Sequence, residues 1–373
     1  MKKEKKTKIV HLQLPLDVRL LFISDIHGDI ALFKEALLKA NFSSKDYLFV
    51  IGDMIEKGDF LDNQAMLDYV IELSKKDNVF FLAGNCDEIL RFILPPLDKE
   101  RFLYYALTLK NSIINDLAYT MQYSLSETMD IMNFVEKIKI KYPQYFTFVE
   151  KLPDVIFINE DLVLVHGGIK DISRIPPTAI EVLKYDNFLE ESPIQPRLMI
   201  VGHNPTRNYC KKIASVNPIF DWQKKILSID GGNNVVKGGQ LNVVLMDNLK
   251  NKNVSFLSFD HYPKYEMLED VHPRLSYEQC SLNFVKNEIR VLQKDLDFYL
   301  VQPKGTEDQL WVHEDFIYRS KDTLYCTEGV NTFLNLKKGD MISVIKRAKP
   351  YSLVKCNGQI GLLKSEYIHD TQV

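Results

Sequence analysis

With 373 residues the chain exceeds a typical single domain, and its 46% hydrophobic and 26% charged residues describe a folded protein with a substantial core, not a disordered or fibrous one. A net charge of −3 gives no general electrostatic footprint for nucleic acid, and no stretch approaches the roughly 20 apolar residues of a membrane-spanning helix. Cys86, Cys210, Cys280, Cys326 and Cys356 are odd in number, widely spaced and without a C-x-x-C, which argues against a disulfide framework or zinc ribbon and for free thiols in a reducing compartment.

The opening MKKEKKTK reads as a solvated, frayed basic tail. IVHLQLPLDV after it alternates like a strand instead of forming the apolar region of a secretory signal, so the cytoplasm is the expected location. From 18 to about 90 the pattern alternates: strand 18–24, amphipathic helix 31–40, strand 47–52, helix 63–76 and strand 78–84. Such spacing predicts parallel βαβ units with strands buried on both faces and functional groups gathered where strands end. Residues 97–150 turn helical and read as an insertion over the sheet. Strand-like runs return at 154–158, 162–168, 197–203, 226–232 and 241–247.

Beyond about 250 the glycine-tipped strand ends stop, giving an expected division into residues 1–250, a linker at 251–283 and a small all-β barrel-like region at 284–373. LWVHEDFIYR (310–319) and GLLKSEYIHD (361–370) share one pattern: two apolar residues, three polar ones, an aromatic and Ile. In 331–368, short strands alternate with Lys-Gly-Asp and Asn-Gly turns, which favours a small barrel. That region resembles a bacterial Src-homology-3-like domain, with room for a second, degenerate copy before it.

Five strand ends carry metal-type ligands. SDIHGD supplies Asp25 and His27, whose two-residue spacing sends both side chains off the same face of an extended chain. GD supplies Asp53, GN supplies Asn85, HGG supplies His166 and GH supplies His203. Each alone reads as a turn residue, a helix cap or a core-edge histidine. Three of the eight histidines, however, fall at the same relative place, the carboxyl end of an apolar run.

The order D-x-H, G-D, G-N, H-G-G and G-H-x-P resembles the calcineurin-like metallophosphoesterases, closest to the phosphoprotein phosphatase group and its bacterial relatives, including symmetrical diadenosine tetraphosphate hydrolases. LPDVIFINEDLVLVHGGI and SIDGGNNVVKGGQLNVVLM carry the same similarity, which spans about residues 17–247. It implies an α/β fold, a two-sheet sandwich flanked by helices, with a dinuclear centre at one edge. Carried over, Asp25 and His27 hold one divalent ion, Asp53 bridges, and Asn85, His166 and His203 hold the second. A mixed Asp, His and Asn set suits manganese, iron or zinc, and a hydroxide bridging the pair attacks a phosphoester.

Three positions depart from that group. Cys86 stands where a histidine serves as general acid, Glu56 replaces the Asp that assists it, and Lys57 replaces an arginine. A thiol with an ordinary pKa near 8.5 is a poor acid at neutral pH. GNCD also occurs in a phosphodiesterase-like branch of the superfamily, so Cys86 reads as a small side chain packed beside the metals or as a weak proton donor. Catalytic roles are expected for Asp53, Cys86 and Glu56, and substrate contacts for Lys57 and Arg91, with Arg207 a weaker candidate. The expected enzyme is phosphatase-like, acting on a phosphorylated protein or a small phosphorylated molecule. The alternatives are a phosphodiesterase and a catalytically weak metal-binding recognition module. Tyr351 and Tyr367 are candidates for docking a peptide on the barrel; no membrane or nucleic-acid partner is expected.

Overall fold

A computed structural model describes residues 5–59, 61–92, 99–109, 111–273, 281–282 and 287–369. The chain forms two compact units. The first comprises residues 1–204, 218–235 and 241–259, the second 205–217, 236–240 and 260–373. Chain order in the first half is β1 (Ile9–Leu12), β2 (Leu20–Ile23), α1 (Ile30–Lys39), β3 (Tyr47–Ile51), α2 (Asp62–Leu73), β4 (Val79–Leu82), α3 (Ile89–Phe92), α4 (Lys99–Thr108), α5 (Ile113–Thr120), α6 (Ile131–Lys141) and α7 (Pro143–Lys151). There follow β5 (Val155–Ile158), β6 (Leu162–Val165), α8 (Ala179–Leu183), α9 (Phe188–Glu191), β7 (Leu198–Val201), β8 (Ala214–Ser215), β9 (Ile219–Asp221), β10 (Ile226–Ser228), β11 (Leu241–Met246) and β12 (Val254–Phe259). Among the described residues no helix is long and apolar enough to cross a membrane.

In the first unit β2, β3 and β4 pair in parallel, as the alternating pattern predicts, and β11 and β12 extend that sheet antiparallel. A six-stranded sheet ordered β1-β5-β6-β7-β10-β9 lies against it. Period-two alternation explains the sandwich. Leu20, Phe22, Phe49 and Ile51 point one way and share a core cluster with Ile156, Ile158, Leu164 and Ile200 of the other sheet. Their neighbours Leu21, Ile23, Leu48 and Val50 are also fully buried, on the opposite face. Asp29 starts α1 by accepting from Leu32 N (3.0 Å), and Leu32, Phe33, Ala36 and Leu37 form its buried stripe. The helical stretch expected at 97–150 is present as α4 to α7.

The amino-terminal stretch is not frayed from Lys5 onward. Asp154 is fully buried and needs donors: Lys8 N gives one at 2.8 Å and Lys5 Nζ forms an ion pair with it, while Thr7 N bonds Pro177 O at 2.9 Å.

The second unit contains β8 and β13 (Lys264–Glu266), β14 (Ser281–Leu282), β15 (Glu288–Asp295), β16 (Phe298–Pro303), β17 (Leu310–His313), β18 (Ile317–Ser320), β19 (Thr323–Cys326), β20 (Gly329–Val330), β21 (Met341–Lys346), β22 (Tyr351–Cys356) and β23 (Gln359–Lys364). They form two five-stranded antiparallel sheets, β17-β16-β15-β19-β18 and β13-β21-β22-β23-β8, and the pair β14-β20. The Asn-Gly turn behaves as its residues require: Asn357 and Gly358 have φ of 47° and 75° and close the β22–β23 hairpin. Both copies of the repeated pattern are a strand running into a 3-10 turn, β17 into Glu314–Phe316 and β23 into Ser365–Tyr367; the repeat's last residue, 370, lies outside the described residues, as does Cys280. Tyr351 and Tyr367 are half-buried against the two cores of this unit. The division after 250 is more interleaved than expected. β12 belongs to the first unit, β13 to the second, and two internal segments, 205–217 and 236–240, also belong to the second.

Candidate metal centre

Parallel strands end together, so β2, β3 and β4 deliver Asp25, His27, Asp53 and Asn85 to one edge, where β6 and β7 add His166 and His203. The strands stop abruptly because Asp25, His27, Asp53 and His203 adopt φ of 54°, 51°, 51° and 70°, a left-handed geometry that costs non-glycine residues about 1–3 kcal/mol and clusters at functional sites. Backbone bonds between loops hold it: Asp25 N to Gly52 O (3.1 Å), His27 N to Asp53 O (3.0 Å) and Gly202 N to His166 O (2.9 Å).

Asp53 lies at the middle. With His27 and Cys86 it forms one group of ligand atoms within 4.8 Å of one another, and with Asp25 and His166 a second. His166 Nε2 is 3.3 Å from Asp53 Oδ1 and 3.2 Å from Asn85 Oδ1. His203 N donates to Asp25 Oδ2 at 3.0 Å, and its ring lies 5.3 Å from that of His166. These two groups cut across the division of ligands that the resemblance implies, since they put Asp25 with His166 and Cys86 with His27. They agree with it in sharing Asp53.

The residues fit divalent cations on three counts. Asp25 Oδ1 is buried without a hydrogen-bond partner, an arrangement that costs free energy unless a ligand satisfies it, and His27 Nε2 lies 3.8 Å from both Asp25 Oδ1 and Asp53 Oδ2. The histidines are oriented as ligands: His166 Nδ1 bonds the Ile51 carbonyl (2.8 Å), which turns Nε2 toward Asp53, and His203 Nε2 bonds Asp186 (2.8 Å), leaving Nδ1 free to ligate. Burial and neighbouring cationic groups depress His27 to about 3 and His203 to about 4, so both are neutral imidazoles. The third count is charge. Burial and Asp53 raise Asp25 to about 6, while His166, against its own burial, is drawn up to about 10 by Asp53 and Asp25. Positive charge is what this pocket lacks.

Close packing leaves little freedom. A methyl group at Gly84 would meet Asp53 N at 2.1 Å and Asp53 Oδ1 at 2.2 Å. Gly84→Ala is therefore expected to destabilise the fold by about 3 kcal/mol or more and to displace Asp53, read as a lowered urea midpoint together with reduced metal uptake. An unchanged midpoint would mean that the β4 loop yields.

The remaining predicted residues separate. Lys57 is solvent-exposed, and although burial opposes it, Cys86, Asp53, Asp25 and Asp230 raise its pKa, so its ammonium faces the centre's charge. Glu56 turns to the helical insertion, where Oε1 accepts from Ser112 Oγ (3.1 Å) and Ile113 N (2.8 Å) at the start of α5. Arg91 is engaged by Glu88 and by the Val149 carbonyl, 4.0 Å from Asp154. Arg207 is fully buried in the second unit, 3.0 Å from Glu328.

Several residues matter here that sequence reasoning passed over. Asp87 accepts from Asp53 N (2.9 Å), Met54 N (2.9 Å) and Gly84 N (2.8 Å). Asn233 and Asn234 donate to Ile26 O (3.0 Å) and His27 O (3.1 Å). The sixth glycine-tipped strand end, IDGGNN, was a signal for the last pair, whereas nothing local marks Asp186.

The calcineurin-like phosphoesterase family matches residues 18–231, more than half of the chain and every one of the strand ends above. The chain belongs to that family. Among curated relatives, symmetrical bis(5'-nucleosyl)-tetraphosphatases from Buchnera aphidicola are 40% identical over 67 residues, 18% of this chain; the match spans only 23% of their length. Similar solved structures include a protein serine/threonine phosphatase from Saccharomyces cerevisiae (15% identity, 69% of this chain and 84% of that one, TM-score 0.43) and a metallophosphoesterase from Sphaerobacter thermophilus (16% identity, 65% and 89%, TM-score 0.36). For a phosphoesterase of this family, the placement of Asp53 between two ligand groups is the feature that bears on chemistry.

Proposed function

We propose that this calcineurin-like phosphoesterase hydrolyses a phosphomonoester or a phosphoanhydride. The observation that carries the reading is Asp53, a buried carboxylate common to two ligand groups. Asp25, His27 and Asp53 would hold one divalent ion, and Asp53, Asn85, His166 and His203 the other. Two such ions supply an activated water and neutralise phosphoryl oxygens during in-line displacement. The chain's own residues then divide the work. Lys57 attracts the phosphoryl group as a point charge, without the two-pronged grip of arginine, and Asp186 and the Ile51 carbonyl fix the histidine tautomers.

Cys86 explains the expected substrate preference. Its backbone N–H donates to Asp53 Oδ1 at 2.7 Å, while burial and Asp53 push its thiol well above the ordinary value, so the side chain is a neutral thiol and no nucleophile. With Glu56 bound to α5, a strong proton donor for a poor leaving group is missing. Aryl phosphates and anhydrides, whose leaving groups need little protonation, are the favoured substrates, and the Buchnera relatives' activity on nucleoside tetraphosphates is of the anhydride kind. A small phosphorylated molecule is thereby preferred over a phosphoprotein.

Turnover of aryl phosphate, phosphoserine peptide, bis-aryl phosphate and diadenosine tetraphosphate with added manganese tests this, and preference for the diester would overturn it. Cys86→His is expected to raise alkyl phosphate turnover by about 100-fold or more with a much smaller gain on aryl phosphate. Equal change on both would refute the missing-acid account. The β unit is read as two degenerate Src-homology-3-like copies, on the support of the repeated strand and 3-10 turn.

A further inference from the structure

Two loops that carry the metal centre leave the first unit within two residues of it. The chain crosses after Asn204, next to His203, and again after Val235, next to Asn234, whose side chain holds the His27 carbonyl. Inside the second unit, each crossing segment is then gripped by one carboxylate. Glu328 Oε2 lies 3.0 Å from Arg207 Nη1, and Glu328 Oε1 accepts from Lys237 N at 2.8 Å; Arg207 Nη1 also donates to Lys237 O at 3.2 Å. Arg207 follows His203 by four residues and Lys237 follows Asn234 by three.

We infer that Glu328 is a positioning residue for the metal centre, joining the segment that follows His203 to the segment that follows Asn234. Arg207 is 1% exposed and Glu328 8%, so the pair is fixed and little screened. Neighbouring contacts make the grip rigid. Gly238 N donates to Tyr262 Oη (2.9 Å), Lys355 Nζ donates to Gly238 O (2.9 Å), and Gln240 Nε2 reaches Asn217 Oδ1 (3.1 Å), joining the two segments a second time. Four residues of backbone between anchor and ligand can absorb only a small displacement. Loss of the anchor therefore reaches His203 as increased motion.

The inference rests on reading the site as a metal centre, and one experiment separates the two. Wild type, Glu328→Ala and Glu328→Gln are compared by hydrogen exchange and by cobalt titration followed in the visible spectrum, below any unfolding temperature. In Glu328→Ala, exchange at 201–207 and 231–240 should accelerate about tenfold while 20–24, 47–51 and 79–82 stay as in wild type. The second cobalt ion should bind about 10- to 100-fold more weakly, as when an outer partner of a ligand is lost, with the first unchanged. Glu328→Gln keeps an acceptor for Lys237 N–H and should recover part of both effects, and it serves if the alanine variant does not fold. Uniform acceleration across the chain, or none, overturns the inference, as does wild-type affinity for both ions in a variant that is merely less stable. If wild type takes up no cobalt, the metal reading fails, and hydrogen exchange still decides the positioning role.

Discussion

Asp53→Asn is expected to leave the chain without either metal ion and to reduce turnover by far more than the roughly 100-fold that loss of an outer-shell partner costs. The physical reason is that Asp53 serves both ligand groups at once. His166 and His27, together with Lys57, hold its carboxylate well below the usual range despite burial, so it is ionised under all working conditions. Asparagine preserves the shape but removes the charge that balances these cationic groups, so both ions lose their common ligand. Removing His203 instead should cost one ion, on the proposed assignment of that residue to a single ion. Metal content per chain after dialysis, measured beside aryl phosphate hydrolysis, distinguishes the two. Retention of two ions by Asp53→Asn would remove the basis of the proposed chemistry.

Asp87→Ala is expected to be the most destabilising change at the site, at about 3–5 kcal/mol. Asp87 is 1% exposed and its two oxygens receive the N–H groups of Asp53, Met54 and Gly84, with Ile55 N a longer fourth at 3.4 Å. These donors come from the loops after β3 and β4, so the carboxylate joins the two strand ends that present Asp53 and Asn85. Alanine would leave those buried amides unpaired, each costing about 1–3 kcal/mol before relaxation. Asp87→Asn keeps one acceptor oxygen but turns an NH2 toward donors, and an intermediate loss is expected. Urea unfolding of the three proteins checks the order. A loss below 1 kcal/mol for alanine would show that water replaces the carboxylate.

The amide, thiol and carboxylate that follow one another at the end of β4 have separate tasks. Asn85 faces His166, Asp87 binds loops together, and Cys86 contributes its backbone N–H to Asp53. The side chains alternate between site and scaffold. From the sequence the amide was a candidate because Gly-Asn is one of an ordered set of strand ends, and the structure brings it beside His166. The carboxylate was not, because its partners lie 33 and 34 residues upstream in a loop whose approach depends on sheet register. Glu56 and Arg91 illustrate the same limit. The resemblance suggested the site for Glu56 and a position one turn beyond Asp87 suggested it for Arg91, yet the start of α5 and the end of α7, both in the helical insertion, offered partners.

The sequence by itself determined the order of strands and helices in the first unit, the residue types that its strand ends bring together and the hairpin character of the last ninety residues. Period-two and helical hydrophobicity, glycine and turn chemistry are set by neighbours along the chain, so they can be read without knowing the fold. Only the tertiary structure decided that 205–217 and 236–240 belong with the β unit, that Asp53 sits between two ligand groups and that Glu328 joins Arg207 to Lys237. Those outcomes come from contacts between residues tens to more than a hundred positions apart, where desolvation and charge pairing choose among partners that local pattern leaves equivalent.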